Sequence, residues 1–309
     1  MSRFHRDGSP QRRSLRRLTL CGALVAGLLP AACGSSKTSA STSAAGSTSA
    51  AGSTTASAAA NPCAKASLPV HTTGVLTVAT DSPAYPPYFA DNKPANGKGF
   101  ESAVAYAIAS KLGFTPAEVK WTVEPFDSSY APGPKSFDFD INEISITAPR
   151  AKAVDFSAPY YVNPQAIIVA SSSPYAHATS LAALKGAKIG VQIGSTSLDA
   201  VNSEIKPSSQ PQVFNTSNDV ISAFKIHRVD AIVVDLATAF ELTATELPHT
   251  TIAGQFSAPG GDKWGVLLSK GSGLTSCVDQ AVSALQANGT LSALSHRWIA
   301  SGASAPVLR

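Results

Sequence analysis

Six histidines are scattered through the 309 residues, and they show no metal-site spacing. The chain also lacks a Gly-x-Ser-x-Gly nucleophile turn and a glycine-rich phosphate loop. These absences argue against a metal centre, a hydrolase triad and nucleotide chemistry, and no cofactor is expected. The apolar run over residues 18–29 is too short to cross a bilayer as a mature helix, and no membrane-spanning run follows the body of the chain. Positive charge is scarcer than the net +4 suggests: six of the 24 Lys+Arg and one of the 20 Asp+Glu lie in the first 33 residues. The remainder carries 18 basic against 19 acidic residues, near −1, which gives no reason to expect nucleic acid. Arginine is rarest of all, with Arg150 alone between Arg17 and Arg228.

The N-terminus has the three parts of a secretory signal: a basic start, the apolar run, and Pro30-Ala31-Ala32-Cys33-Gly34. That ending resembles a bacterial lipobox, in which Cys33 is lipidated and becomes the new N-terminus; Pro30 stands where leucine is usual. The pair Arg12-Arg13 before Ser14-Leu15 fits a twin-arginine signal, or more simply a basic lead. Residues 1–33 are therefore assigned to a lipoprotein signal peptide. Of residues 34–62, all but Lys37, Asn61 and Pro62 are Ser, Thr, Ala or Gly. Such a segment cannot bury a core, so it is expected to be a disordered tether reaching roughly 30 Å.

The rest suffices for a two-lobed body or one large domain. Its cysteines, Cys63 and Cys277, are expected to form a disulfide in an exported protein, although two unpaired buried thiols remain the alternative. Residues 74–80, 118–123, 137–141, 166–170, 187–193, 213–214, 229–235 and 265–268 read as strands. Helices are expected at 100–112, 181–185, from 198, at 219–226, 236–242 and twice within 274–300, with Gly289 as the break. This order predicts α/β units on largely parallel sheets. Phe137-Asp138-Phe139-Asp140-Ile141 alternates as a half-buried strand would, and Pro149 suits the first turn of a helix.

Polar groups gather where these strands end. One unit offers Asp81, Glu143, Ser145 and Arg150; the other offers Ser195, Thr196 and Asp235. A guanidinium binds a carboxylate through two parallel hydrogen bonds, so Arg150 reads as a carboxylate clamp or else as a surface arginine in a salt bridge. Ser195 and Thr196 at a helix start suit either an anion or ordinary N-capping. With Asp235 as a separate acid, the set suits a zwitterion.

The segments VLTVATD, GKGFESAVAYAIASKLGF, FDFDINEISITAPRAKAVDFSAPYY, LKGAKIGVQIGSTS, RVDAIVVDLATA and ALQANGTLSAL resemble, in order, the bacterial extracellular solute-binding proteins of family 3. These are the amino-acid receptors of ABC importers. The resemblance implies a two-lobed α/β periplasmic-binding-protein fold of type II, a Venus flytrap with two crossover strands. Lobe 1 would comprise residues 63–162 plus 260–309, and lobe 2 residues 163–259. It implies Arg150 on the ligand α-carboxylate, with Ser145, Ser195 and Thr196 completing that subsite. Asp235 would bind the α-ammonium, aided by the backbone near Glu143, and Asp81, Tyr85 and Phe126 would face the side chain. The family commonly reads Thr-Pro-Glu-Arg where this chain has Thr147-Ala148-Pro149-Arg150, with the arginine keeping its distance from Ser145. Position 143 is usually small or neutral. Glutamate there, with Asp81, favours a polar or cationic side chain, unless Glu143 turns away to pair with Lys152 or another cation.

The expected function is thus an extracytoplasmic receptor, not an enzyme. It would be a monomer anchored by lipid to the outer face of the membrane, handing an amino acid to an ABC transporter permease. The competing expectation is an exported cyclohexadienyl-dehydratase-like enzyme on the same fold, with Glu143 as general acid.

Overall fold

The computed structural model describes residues 61–258, 260–299 and 305–309. The signal peptide with Cys33 lies outside them, as does the tether up to residue 60. Asn61 and Pro62, expected in the tether, belong to a turn instead: the Asn61 carbonyl accepts from the Ala64 N–H and its side chain from the Cys63 N–H, each at 3.0 Å.

β1 (Leu76–Thr80) is followed by α1 (Phe100–Lys111), β2 (Val119–Val123), the short α2 (Phe126–Ser129), β3 (Phe139–Asp140), α3 (Ala148–Ala153) and the long β4 (Val154–Asn163). Past Pro164 come β5 (Gln165–Ala170), β6 (Ile189–Gln192), α4 (Thr196–Ala200), β7 (Gln212–Phe214), α5 (Ser217–Lys225), β8 (Ala231–Asp235), α6 (Leu236–Thr245) and β9 (Thr250–Phe256). β10 (Asp262–Ser269), α7 (Thr275–Ala287) and α8 (Thr290–Trp298) follow.

Two sheets result, in the orders β2-β1-β3-β10-β4 and β7-β6-β8-β5-β9. β10 is antiparallel to both its neighbours, and so is β5, while the other pairings are parallel. Each sheet therefore has one reversed strand among four that share a direction. The reversed strands arise because the chain passes between sheets twice, from β4 to β5 and from β9 to β10. This is a two-lobed α/β fold with two crossovers.

Leu76, Val78, Phe100, Val104, Ile108 and Val278 build one core, in which the buried Trp264 meets Tyr88 edge-on at 5.5 Å. Truncating such a side chain costs about 3–5 kcal/mol. Cys63 and Cys277 form the disulfide, their Cα atoms 5.4 Å apart, so the unpaired alternative falls.

Three expectations are corrected. Residues 137–141 are buried on both faces, acids included, because β3 runs between β1 and β10. β9 was not legible as a strand in TTIAGQF, where Gly254 and polar residues break the apolar pattern. The last residues do not belong to lobe 1. Val307 bridges Gln255 of β9, and Leu308 packs in the core of the second sheet. A Cβ on Gly254 would lie 2.4 Å from Leu308, so glycine is what admits this tail.

Candidate functional site

The apolar strands end where the two lobes meet, and their ends place the polar groups. β1 delivers Asp81, the segment after β3 delivers Glu143 and Ser145, and α3 carries Arg150. Thr147 caps α3 by accepting from the Arg150 N–H, with proline in the first turn as the sequence predicts. From the second lobe, β6 ends in the Gly194 turn before α4, and β8 ends at Asp235, the N-cap of α6.

Arg150 is buried, 7% exposed, and forms no ion pair with any described carboxylate. The surface salt-bridge alternative is therefore excluded. Its two terminal nitrogens donate to the carbonyls of Ser145 and Gly194, each at 2.9 Å, one in each lobe. Its guanidinium lies over the rings of Tyr130 at 4.3 Å and Phe126 at 5.3 Å. A guanidinium has five N–H donors, so three remain beyond the two used on carbonyls. Gly194 has φ +68, and a Cβ there would lie 2.5 Å from the Tyr130 hydroxyl, so any side chain would push Tyr130 away.

The hydroxyls of Ser145 and Thr196 meet across the cleft at 3.2 Å, and Thr196 Oγ1 donates to Asp262 at 3.0 Å. Ser195 Oγ accepts from the Leu198 N–H and donates to the Gln192 carbonyl. Its hydroxyl thus serves the capping role that the sequence left open, although the residue lines the cavity.

Beside this link is a cavity of about 490 Å³. Asp81, Tyr85, Phe126, Glu143, Ser195 and Asp235 line it, whereas Ser145, Arg150 and Thr196 are not among its lining residues. Asp127, Glu241 and Glu246 also line it, and no lysine, arginine or histidine does so among the described residues. Burial raises the Asp81 carboxyl, and it pushes Tyr85 up to about 12, helped by Asp81, Glu246 and Glu143. Glu143 is raised well above the usual range by burial and then by Glu101, Asp235 and Asp81. It forms no ion pair with Lys152 or any other described cation. Its backbone N–H donates to Glu101 Oε1 at 2.6 Å, and the Tyr160 hydroxyl donates to the same oxygen. Asp235 Oδ1 accepts from Asn163 Nδ2 at 2.6 Å and Gln165 Nε2 at 2.9 Å. Six acids thus line the cavity, one of which, Glu246, also pairs with Lys225 at 3.4 Å.

Sequence reasoning missed Tyr130, which sits in a proline-rich loop without periodicity. It missed Asn163, Gln165 and Asp262, which sit on the crossovers. It also missed Glu241 and Glu246. Glu246 could have been found, because it falls about three turns after Asp235 on the same helical face.

The sequence matches the profile of "Bacterial extracellular solute-binding proteins, family 3" over residues 76–301. The L-cystine-binding protein TcyJ of Escherichia coli (strain K12) is 28% identical over 234 residues, covering 74% of this chain and 84% of its own. An ancestral arginine-binding protein solved with arginine is similar at TM-score 0.60 and 33% identity, covering 74% of this chain and 99% of its own. The ancestral amino-acid-binding protein AncCDT-1, a precursor of cyclohexadienyl dehydratase, is similar at TM-score 0.60 and 27% identity, covering 73% and 95%.

Proposed function

Because the chain belongs to the bacterial extracellular solute-binding proteins of family 3, we propose that it binds a polar or cationic amino acid between its lobes and delivers it to an ABC transporter permease. It does so as a monomer held through Cys33 at the outer face of the cell membrane, with the Ser/Ala/Thr/Gly stretch as its tether. The observation that carries the ligand reading is a buried arginine without a carboxylate partner, joined to both lobes, beside a cavity lined by acids. The arginine takes the α-carboxylate, with Ser145 and Thr196 alongside. Asp235 takes the ammonium, and Asp81, Glu143 and Tyr85 face the side chain. Contacts from both lobes then favour the closed form.

Ligand binding raises the melting temperature by mass action, so a thermal-shift screen of amino acids identifies the ligand class. Arginine, lysine and ornithine are expected to outrank glutamate and cystine, whose second carboxylate would meet acids only. Arg150→Ala is expected to weaken binding by about 2–5 kcal/mol, roughly 30- to 4000-fold, with the circular dichroism spectrum unchanged. Equal calorimetric affinity in mutant and parent would remove the clamp from the reading. The dehydratase-like alternative draws on the protonated state that burial favours at Glu143. Incubation with arogenate or prephenate tests it, and an unchanged ultraviolet spectrum excludes it.

A further inference from the structure

Behind Asp235 stands a second carboxylate that no sequence pattern pointed to. Gln165 Nε2 donates to Asp235 Oδ1 at 2.9 Å and to Asp262 Oδ2 at 2.8 Å. Asn163 Nδ2 reaches the same two oxygens at 2.6 and 3.5 Å. Thr196 Oγ1 adds a bond to Asp262 Oδ2 at 3.0 Å, and Gln165 Oε1 accepts from Ser197 Oγ at 2.5 Å. Asn163 and Gln165 flank the first crossover, and Asp262 opens the strand after the second. The bridge thus joins both crossovers to the second lobe's α6. Asn163, Gln165 and Asp262 are all buried. Asp262 Oδ1 is buried without a partner among the described residues. Asp235 Oδ2 takes part in no hydrogen bond there, and the residue lines the cavity.

The neighbours supply no compensating cation. Glu101 of α1 and Glu143 of the β3–α3 segment stand near Asp235 as further acids, and Tyr88 and Tyr161 are neutral phenols. Arg150 feels Asp262 but pairs with neither acid. Two carboxylates tied by the same amides, Asp262 buried and Asp235 half-buried, cannot both ionise cheaply. We propose that Asp235, joined to Asp262 through Asn163 and Gln165, holds a proton, and that it leaves to solvent when a ligand ammonium meets Asp235. The carboxyl of Asp235 is accordingly raised to about 8, first by burial and then by Asp262. Asn163, Gln165 and Asp262 are positioning residues, acting through Asp235. This inference rests on the placement of the ligand ammonium at Asp235.

The sign follows from linkage. A cation favours the ionised form of Asp235, so below its raised value of about 8 binding releases a proton, and affinity climbs with pH. Calorimetry of L-arginine and L-glutamine binding to the full chain, in buffers of different ionisation enthalpy, reads the release directly. Both probes carry the α-ammonium, so both are expected to expel a proton. Affinity should rise by up to about tenfold per pH unit and level off near the raised value. Asp262→Asn is expected to shrink the release and flatten the profile. A parent whose binding heat ignores the buffer and whose affinity is flat with pH overturns the inference without any variant. So does an Asp262→Asn protein that loses the same factor of affinity at every pH. If Asp235→Asn binds both probes as tightly as the parent, the fault lies instead in placing the ammonium there.

Discussion

At the scale of single residues, Glu143 combines an uncommon backbone with a place in the cavity wall. Its φ of +50° lies in the left-handed region that side chains other than glycine avoid. The conformation is held by the bond from its N–H to Glu101 Oε1 at 2.6 Å. Glu143→Gly should therefore relieve strain of about 1 kcal/mol and raise the melting temperature by about 2–4 °C. The same change removes an acid that lines the cavity near Tyr85. Arginine affinity should fall by about 1–2 kcal/mol, roughly 5- to 30-fold, while glutamine affinity changes little. Melting curves and calorimetry with both amino acids check the two halves separately. An unchanged arginine-to-glutamine ratio would show that Glu143 does not set the preference. A residue that strains the backbone and carries a raised carboxyl into a cavity is better explained by ligand selection than by stability.

Among the elements, β3 shows why some of this molecule was legible and some was not. Alternation in Phe137–Ile141 correctly marked a strand, but period two cannot tell a half-exposed strand from a central one. The two acids have opposite fates. Asp138 accepts from the His71 and Thr77 N–H groups at 2.7 Å each, so it fastens the chain ahead of β1. Asp140 has both oxygens buried without a partner among the described residues, and burial followed by Glu101 raises its carboxyl well above 3.8. Because its folded-state value exceeds the unfolded one, stability from its protonated form is complete below that ordinary value and is lost as pH rises. Asp140→Val should therefore raise the urea midpoint, by about 1–3 kcal/mol of stability, with a larger gain at alkaline pH than at acid pH. A midpoint that drops, or a gain that shrinks with pH, would show that Asp140 has a partner that matters. The capped turn that carries Arg150, by contrast, was readable, because Ser145, Thr147, Pro149 and Arg150 lie within a few residues and local rules place them. The bridge of Asn163, Gln165, Asp235 and Asp262 was not, because its bonds join residues separated by up to 99 positions. Only the topology of two crossovers brings those residues together.

For the molecule as a whole, the two ends of the body are tied to different lobes. Cys63 is bonded to Cys277 on α7, across a separation of 214 residues, which fixes the start to the first lobe. The end is fixed to the second. The Gln255 N–H donates to the Pro306 carbonyl at 2.7 Å, the Leu308 N–H to the Gln255 carbonyl at 2.9 Å, and Gln255 Nε2 to the Ala305 carbonyl at 2.8 Å. The Leu181 N–H donates to the Arg309 carbonyl at 3.2 Å. Since α1 packs against α8, the chain passes from the first lobe to the second once more after Trp298. It is a third link between lobes that otherwise share two crossover strands. Removing residues 305–309 uncovers the edge of β9 and the seat of Leu308, whose burial is worth about 2–3 kcal/mol. The melting temperature should fall by roughly 4–12 °C. Ligand should also dissociate faster, because the open form loses a restraint while Arg150 and the acids proposed to contact ligand are untouched. Reduction of the disulfide is the internal comparison. It constrains one lobe only, so it should lower the melting temperature without changing the dissociation rate. Stopped-flow release of arginine from the truncated, the reduced and the parent proteins separates the two effects. Equal rates in all three would mean that the tail stabilises the second lobe but does not restrain its motion against the first.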